Sequence, residues 1–189
     1  MGSLTDFQKR KVMAVFTTLY DTNKDGVIEK CDFEEAAQKI CSLHHWKQGG
    51  DRYKSAEKTL ASIWDGLRKF ADKDQDQKIT KEEWLVMWED CLKNISSGKG
   101  FPDWQKHYME FMFLANDTSG DGFIDKEEYV TIYKVFGMPE ENSSAAFDQL
   151  AKGTEGKISW EEFESLWTEY FTSDNPSARG NFLFGQIPV

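Results

Sequence analysis

One segment of twelve residues, 117–128, constrains this chain more than any other feature. Its sequence, DTSGDGFIDKEE, repeats oxygen-bearing side chains at alternate positions, with a glycine at position 6 and a glutamate at position 12. Calcium takes oxygen ligands, position 7 of such a loop offers its backbone carbonyl, and glycine permits the sharp turn at position 6. An acidic surface turn would need neither the alternation nor the distant glutamate, so the pattern predicts a calcium loop. Its predicted ligands are Asp117, Ser119, Asp121, the carbonyl of Phe123, and Glu128, with Asp125 reaching the ion through water.

The same pattern begins three more times, at residues 21, 72 and 151. Apolar residues recur at helical spacing on both sides of the loops, which predicts a helix–loop–helix unit around each. Neighbouring loops can pair through position 8, and we expect Ile28 to pair with Ile79 and Ile124 with Ile158. Every copy also has an aromatic residue directly after position 12, and these residues are Phe33, Trp84, Tyr129 and Phe163.

The first two loops keep a full set of ligands, each with one departure. The first would use Asp21, Asn23, Asp25, the carbonyl of Val27, and Asp32. The second would use Asp72, Asp74, Asp76, the carbonyl of Lys78, and Glu83. Asp32 is one methylene shorter than the usual glutamate, which weakens the preference for calcium and lets magnesium compete. Gln77 stands where a glycine is usual. A positive φ there would cost about 1–2 kcal/mol, which four carboxylates outweigh.

The fourth loop, 151–162, lacks side-chain oxygens where they matter most. Ala151 and Gly153 occupy positions 1 and 3, and Glu155 and Glu162 alone make a poor cage. We expect no metal there and interpret the loop as the structural partner of the third. The sequence therefore predicts three calcium sites.

Composition narrows the class of protein. The 189 residues carry a net charge of −10, which argues against nucleic acid or an anionic membrane as partner, while 39% hydrophobic residues are enough for a core. The N-terminus has no secretory signal, and no apolar run is long enough to span a membrane. Three cysteines without metal spacing, Cys31, Cys41 and Cys91, are interpreted as reduced thiols. These features predict a cytoplasmic protein.

Turn-forming residues divide the chain. The interval between the first two loops is the widest, which predicts an inserted connector at about 42–54, whose His44 and His45 we interpret as solvated. A turn-rich linker at 96–100 separates a first pair of units (1–95) from a second (101–171) and a tail (172–189). The tail is too apolar to remain exposed, and we expect Phe182, Leu183, Phe184 and Ile187 to fold back. The predicted fold is compact and all-α, with four units in two pairs and the tail packed on the core.

Four units, a wide first interval, three complete loops, an incomplete fourth loop and an aromatic tail resemble the sarcoplasmic calcium-binding proteins of invertebrates, whose units are EF-hands. The resemblance implies a cytosolic calcium-binding protein that is not an enzyme, and we expect a monomer. The tail sequence GNFLFG, 180–185, is similar to a neuronal member of the family. That similarity implies calcium signalling, with membrane channels or calcium-release receptors as partners and an association with GTP.

Three alternatives stand beside a signalling protein. A plain calcium and magnesium buffer would expose little apolar surface, as the folded tail and only six methionines favour. A GTP-binding switch would need a phosphate loop, and the chain has no G-x4-G-K-[ST] motif. A chromophore-binding photoprotein would have the second loop inactive and the fourth active, the reverse of this pattern.

Overall fold

The computed structural model describes residues 4–186, and within that range the chain is mainly helical. Its eight α-helices are α1 Asp6–Val15, α2 Lys30–Leu43, α3 Asp51–Ala71, α4 Lys81–Ser96, α5 Asp103–Asn116, α6 Lys126–Val135, α7 Glu140–Leu150 and α8 Trp160–Thr172. Two short strands, β1 Phe123–Ile124 and β2 Ile158–Ser159, lie inside the third and fourth loops. The predicted all-α fold with four helix–loop–helix units is confirmed.

Loop residues themselves start the outgoing helices. In the third loop, Asp125 at position 9 is the N-cap of α6, and its carboxylate accepts a hydrogen bond from the Glu128 N–H at 2.9 Å. In the second loop, Thr80 caps α4 in the same way through the Glu83 N–H at 3.3 Å. Such a capping box satisfies backbone donors that have no partner within the helix. The residue at position 12 therefore lies in the first turn of its helix, facing its own loop.

The loops pair through position 8 as predicted. Ile28 and Ile79 form an isolated antiparallel bridge with N–H···O distances of 3.0 and 2.9 Å. Ile124 lies opposite Ile158 in the antiparallel pair of β1 and β2. All four isoleucines are buried, as are the four aromatic residues that follow position 12. Paired backbones and buried apolar side chains thus hold each pair of loops together.

The chain separates into two compact units. The first consists of Leu4 and Val15–Tyr108, and the second of Thr5–Ala14 with residues 109–186. In the first unit Tyr20 packs at 4.8 Å from Trp84 and 4.7 Å from Tyr108, measured between ring centroids. Trp84 also contacts Trp88 edge to face at 5.9 Å. The core of this unit is therefore built largely from aromatic side chains.

In the second unit the tail packs back on the core, as predicted. A short 3₁₀ turn, Arg179–Phe182, leads to Leu183 and Phe184, both of which are buried. The ring of Phe184 meets Tyr170 at 4.7 Å and Trp167 at 5.2 Å, both on α8. Phe182 is only partly buried, and Ile187 lies outside the described residues.

Two local features differ from the sequence-based expectation. The helix before the first loop does not stay α-helical, because Phe16–Tyr20 form a π-helical turn in which the Asp21 N–H bonds the Phe16 carbonyl at 2.8 Å. The connector between the first two units is also shorter than the expected 42–54. Since α3 already begins at Asp51, much of the wide interval is helix, and only 44–50 connect α2 to α3.

Cys31, Cys41 and Cys91, all within residues 4–186, form no disulfide bond, and their reduced state stays a prediction. Across residues 4–186, none of the helices combines the length and the apolar character that a membrane span requires.

Candidate metal centres

The first loop is folded around the carboxylates at its two ends. The Asp21 carboxylate accepts hydrogen bonds from the N–H groups of Asp25 at 3.1 Å and Gly26 at 3.0 Å. The Asp32 carboxylate accepts from Asn23 at 3.1 Å and from Glu29 at 2.7 Å. Both acids are buried. Backbone donors therefore fix the directions of the first and last predicted ligands.

Burial of Asp32 has an electrostatic consequence. Desolvation raises the pKa of this carboxyl above its usual value, although the hydrogen bonds from Glu29 and Asn23 oppose the shift. A buried carboxylate is costly unless a positive charge lies nearby. A divalent cation in the loop would supply that charge.

The second loop brings three predicted ligands together. Asp72, Asp74 and Asp76 each place one carboxylate oxygen within 4.8 Å of the other two. Asp72 Oδ2 accepts from the Gln77 N–H at 3.1 Å, whereas Oδ1 is buried without a hydrogen-bond partner among the described residues. An unpaired buried carboxylate oxygen is unfavourable. The residues present therefore fit a hard cation, which would take that oxygen as a ligand.

Two residues complete the second loop. Glu83 accepts from the N–H of Lys73 at 2.9 Å and from the N–H of Thr80 at 2.9 Å. Burial raises the pKa of Glu83, but these hydrogen bonds outweigh it and hold the pKa below its usual value. Gln77 has φ = +68°. It therefore adopts the left-handed conformation that was considered for position 6 in the sequence analysis. The loop keeps its shape without glycine at the cost expected for a side chain there.

The third loop is organised by Asp117 and Glu128. Asp117 accepts from the N–H groups of Gly120 at 2.8 Å, Asp121 at 3.1 Å and Gly122 at 3.0 Å. Glu128 is buried and accepts from the Ser119 N–H at 2.9 Å and the Asp125 N–H at 3.0 Å. Asp121 differs from the other ligands, because its Oδ2 is 2.7 Å from the ammonium of Lys157.

One feature is shared by these three loops. In each, the position-12 carboxylate bonds one N–H near the start of the loop and the N–H of position 9. Although shorter, Asp32 reaches the same two places as Glu83 and Glu128. The last acid of each loop therefore lies across it, where it can close a cage around an ion.

The fourth loop is arranged differently. Its position-12 residue, Glu162, pairs with Arg179 of the tail at 2.6 Å. The guanidinium also donates to the carbonyl of Leu150, next to the start of the loop, at 2.7 and 3.1 Å. A side-chain cation thus holds the two ends of the loop that lacks ligands at positions 1 and 3.

The sequence reasoning missed the parts that Lys157 and Arg179 play near the loops. Each pairs with an acid at a ligand position of a loop, Asp121 and Glu162, from far along the chain. The sequence contained one signal, since lysine occupies position 7 in both even-numbered loops, as Lys78 and Lys157. No sequence signal indicated the ion pair of Arg179, because its partner depends on how the tail folds.

The structure places the predicted ligands as follows. Asp72, Asp74 and Asp76 form the cluster described above, and the end residues of the first and third loops face their own loops through backbone hydrogen bonds. Which oxygens hold an ion, including the carbonyls of Val27, Lys78 and Phe123, stays a prediction.

Comparisons with known proteins agree with this architecture. A family model described as EF hand matches residues 19–36 and 110–133, around the first and third loops. The sarcoplasmic calcium-binding proteins I, III and IV of Branchiostoma lanceolatum are 33% identical over 187 residues, covering 98% of this chain and 100% of the relative. Calexcitin is the family member that the tail sequence indicated, and Calexcitin-1 of Caenorhabditis elegans is 31% identical over 187 residues, covering 96% of this chain and 87% of the relative.

Solved structures give the same result. A sarcoplasmic calcium-binding protein from amphioxus superposes with a TM-score of 0.80 at 31% identity, covering 98% of this chain and 100% of that one. The photoprotein clytin superposes with a TM-score of 0.68 at 17% identity over the full length of both chains, which shows a common fold alone. The relatives from Branchiostoma lanceolatum are calcium-binding proteins by name.

Proposed function

The chain belongs to the sarcoplasmic calcium-binding protein family, and from this premise we propose that it binds three divalent ions, one in each of its first three loops. Calcium is the principal ion, and magnesium competes most strongly in the first loop. In this proposal the first pair of units (1–95) holds two ions, the second pair (101–171) holds one, and the tail (172–189) holds none.

The observation that carries the proposal is the contrast at position 12. In the first three loops the acid at this position lies across the loop, supported by the N–H of position 9. In the fourth, Glu162 instead forms an ion pair with Arg179. An oxygen cage needs its last carboxylate to face the ion, and a guanidinium already neutralises this one.

The protein acts as a cytoplasmic buffer of calcium and magnesium in this proposal, without catalytic activity. A sensor opens a hydrophobic groove when it binds calcium, whereas a buffer barely opens. The tail favours the buffer, because Leu183 and Phe184 already cover apolar surface of the second unit. Its binding capacity would then matter more than a change of shape.

Calcium signalling is the second candidate function, and one contact favours it. Tyr129 directly follows the position-12 ligand Glu128, and its hydroxyl donates to the Phe182 carbonyl of the tail at 2.7 Å. An ion that draws Glu128 inward would pull on the residue that holds the tail. In this candidate a released tail exposes α8 to a channel or a calcium-release receptor. The sequence has no phosphate-loop motif that would bind GTP, so GTP binding is part of neither proposal.

Calorimetric titration and native mass spectrometry test the stoichiometry. We expect three calcium ions for the parent protein and two for each of Glu83→Gln and Glu128→Gln. Glu162→Gln is the matched control, since it makes the same change at position 12 of the fourth loop, and it should leave three. A parent stoichiometry other than three, or an ion lost in Glu162→Gln, would refute the assignment.

An apolar-surface dye separates buffer from signalling protein. A buffer should give nearly the same dye fluorescence with and without calcium, because the tail stays in place. A large rise on calcium binding that Glu128→Gln abolishes and Glu83→Gln preserves would instead establish release of the tail through the third loop.

A further inference from the structure

The fourth loop, which has no side-chain oxygen at positions 1 and 3, places an ammonium group against a predicted ligand of the third loop. Lys157 occupies position 7 of the fourth loop, and its Nζ lies 2.7 Å from Asp121 Oδ2. The pairing of Ile124 with Ile158 in β1 and β2 brings the two loops side by side. The same ammonium lies 5.5 Å from the ring centroid of Phe123, which restricts where it can go.

We propose that Lys157 is a built-in competitor for calcium that lowers the affinity of the third loop. The inference rests on the proposed function, in which Asp121 is a ligand of the third ion. Both oxygens of Asp121 are engaged, since Oδ1 accepts from the Phe123 N–H at 2.9 Å and Oδ2 binds Lys157. An incoming ion must displace the ammonium or share an oxygen with it, and two cations on one carboxylate repel each other.

The first pair of loops provides an internal comparison. Lys78 occupies position 7 of the second loop, as Lys157 does in the fourth, but it pairs with Glu29 at 3.2 Å. Glu29 is at position 9 of the first loop, a place that typically reaches the ion through water. Asp25, the position-5 ligand there, accepts from the Val27 N–H as Asp121 does from the Phe123 N–H, but Lys78 pairs with Glu29 and not with Asp25. Competition for a direct ligand is therefore expected at the third loop rather than at the first.

The experiment is a calcium titration of Lys157→Gln in the full-length protein. Lys152→Gln is the matched control, because it removes the same charge from the same loop, where Lys152 bonds Gln149 rather than Asp121. Asp121→Ala identifies which binding event belongs to the third loop. Because the ion pair is exposed and water screens it, we expect a modest effect: that event should tighten about two- to fivefold in Lys157→Gln and less than about twofold in Lys152→Gln.

Salt provides a second readout. The affinity gap between the parent and Lys157→Gln should narrow as potassium chloride rises from about 20 to about 500 mM, since exposed charges are screened. Unchanged or weaker binding in Lys157→Gln, with the third event present in the parent, would overturn the role of Lys157 alone. A parent without any event that Asp121→Ala removes would overturn the proposed third ion itself, and the inference with it.

Discussion

The hydroxyl group of Tyr129, on α6 directly after the third loop, contacts the tail, and its removal gives the sharpest structural prediction. The Tyr129 hydroxyl donates to the Phe182 carbonyl at 2.7 Å, with the Leu183 carbonyl at 3.2 Å, and accepts from the Gly185 N–H at 3.0 Å. Burial raises the pKa of Tyr129 well above its ordinary value, so the hydroxyl stays protonated. Tyr129→Phe keeps the ring and removes these bonds.

The size of the effect follows from those contacts. A hydrogen bond contributes about 1 kcal/mol net, and a buried partner left unsatisfied costs about 1–3 kcal/mol. Gly185 keeps a weaker alternative, because its N–H also lies 3.3 Å from the Phe182 carbonyl. We therefore expect the free energy for detaching the tail to fall by about 2 kcal/mol, which makes the detached form about 30-fold more populated.

Limited trypsin digestion measures that population at the bond between Arg179 and Gly180. Arg179 is held by Glu162, so cleavage requires the tail to open, and its rate follows the open population when closing is fast. At saturating calcium, Tyr129→Phe should release residues 180–189 about 30 times faster than the parent. Tyr53→Phe, a partly buried tyrosine on α3, should behave as the parent does. Equal cleavage rates in Tyr129→Phe and Tyr53→Phe would refute the reasoning.

Three further predictions concern single residues. Gln77→Gly should raise the calcium affinity of the second loop about two- to fivefold, as measured by calorimetry. Glycine removes part of the roughly 1–2 kcal/mol cost of φ = +68°. Weaker binding in Gln77→Gly would contradict this. Asp32→Glu should raise the ratio of calcium affinity to magnesium affinity of the first loop about tenfold, as measured by competition titration. An unchanged ratio would contradict this prediction. Burial lowers the pKa of Lys11 to about 8 from 10.5. Between pH 8 and pH 10.5 the Lys11 side chain is therefore protonated in the unfolded chain and mostly neutral in the folded protein. The free energy of unfolding should rise with pH over this range, by up to about 1.4 kcal/mol per pH unit. Urea unfolding of Lys11→Met from about pH 7.5 to about 9.5 should not show this rise. The prediction fails if the free energy of unfolding changes with pH in the same way in Lys11→Met and in the parent.

Much of the fold could be predicted from the sequence because its signals are local. A twelve-residue loop fixes its own turn, as Gly122 does with φ = +83°, and apolar spacing fixes the buried side of each helix. The pairing of Ile28 with Ile79 followed from position alone and is present. The helix boundaries before the first loop and after α2 were less accurate, since the π-helical turn and the early start of α3 have no comparable local signal.

The sequence by itself determined which loops can offer oxygens to a cation, because those ligands lie within twelve residues and their spacing is set by one turn of chain. Only the tertiary structure decided which lysine and arginine side chains lie against those loops. Lys157 meets Asp121 across 36 positions, and Arg179 meets Glu162 once the tail has folded onto the second unit. Long, flexible side chains take partners that packing brings near, and their reach cannot be read from spacing along the chain.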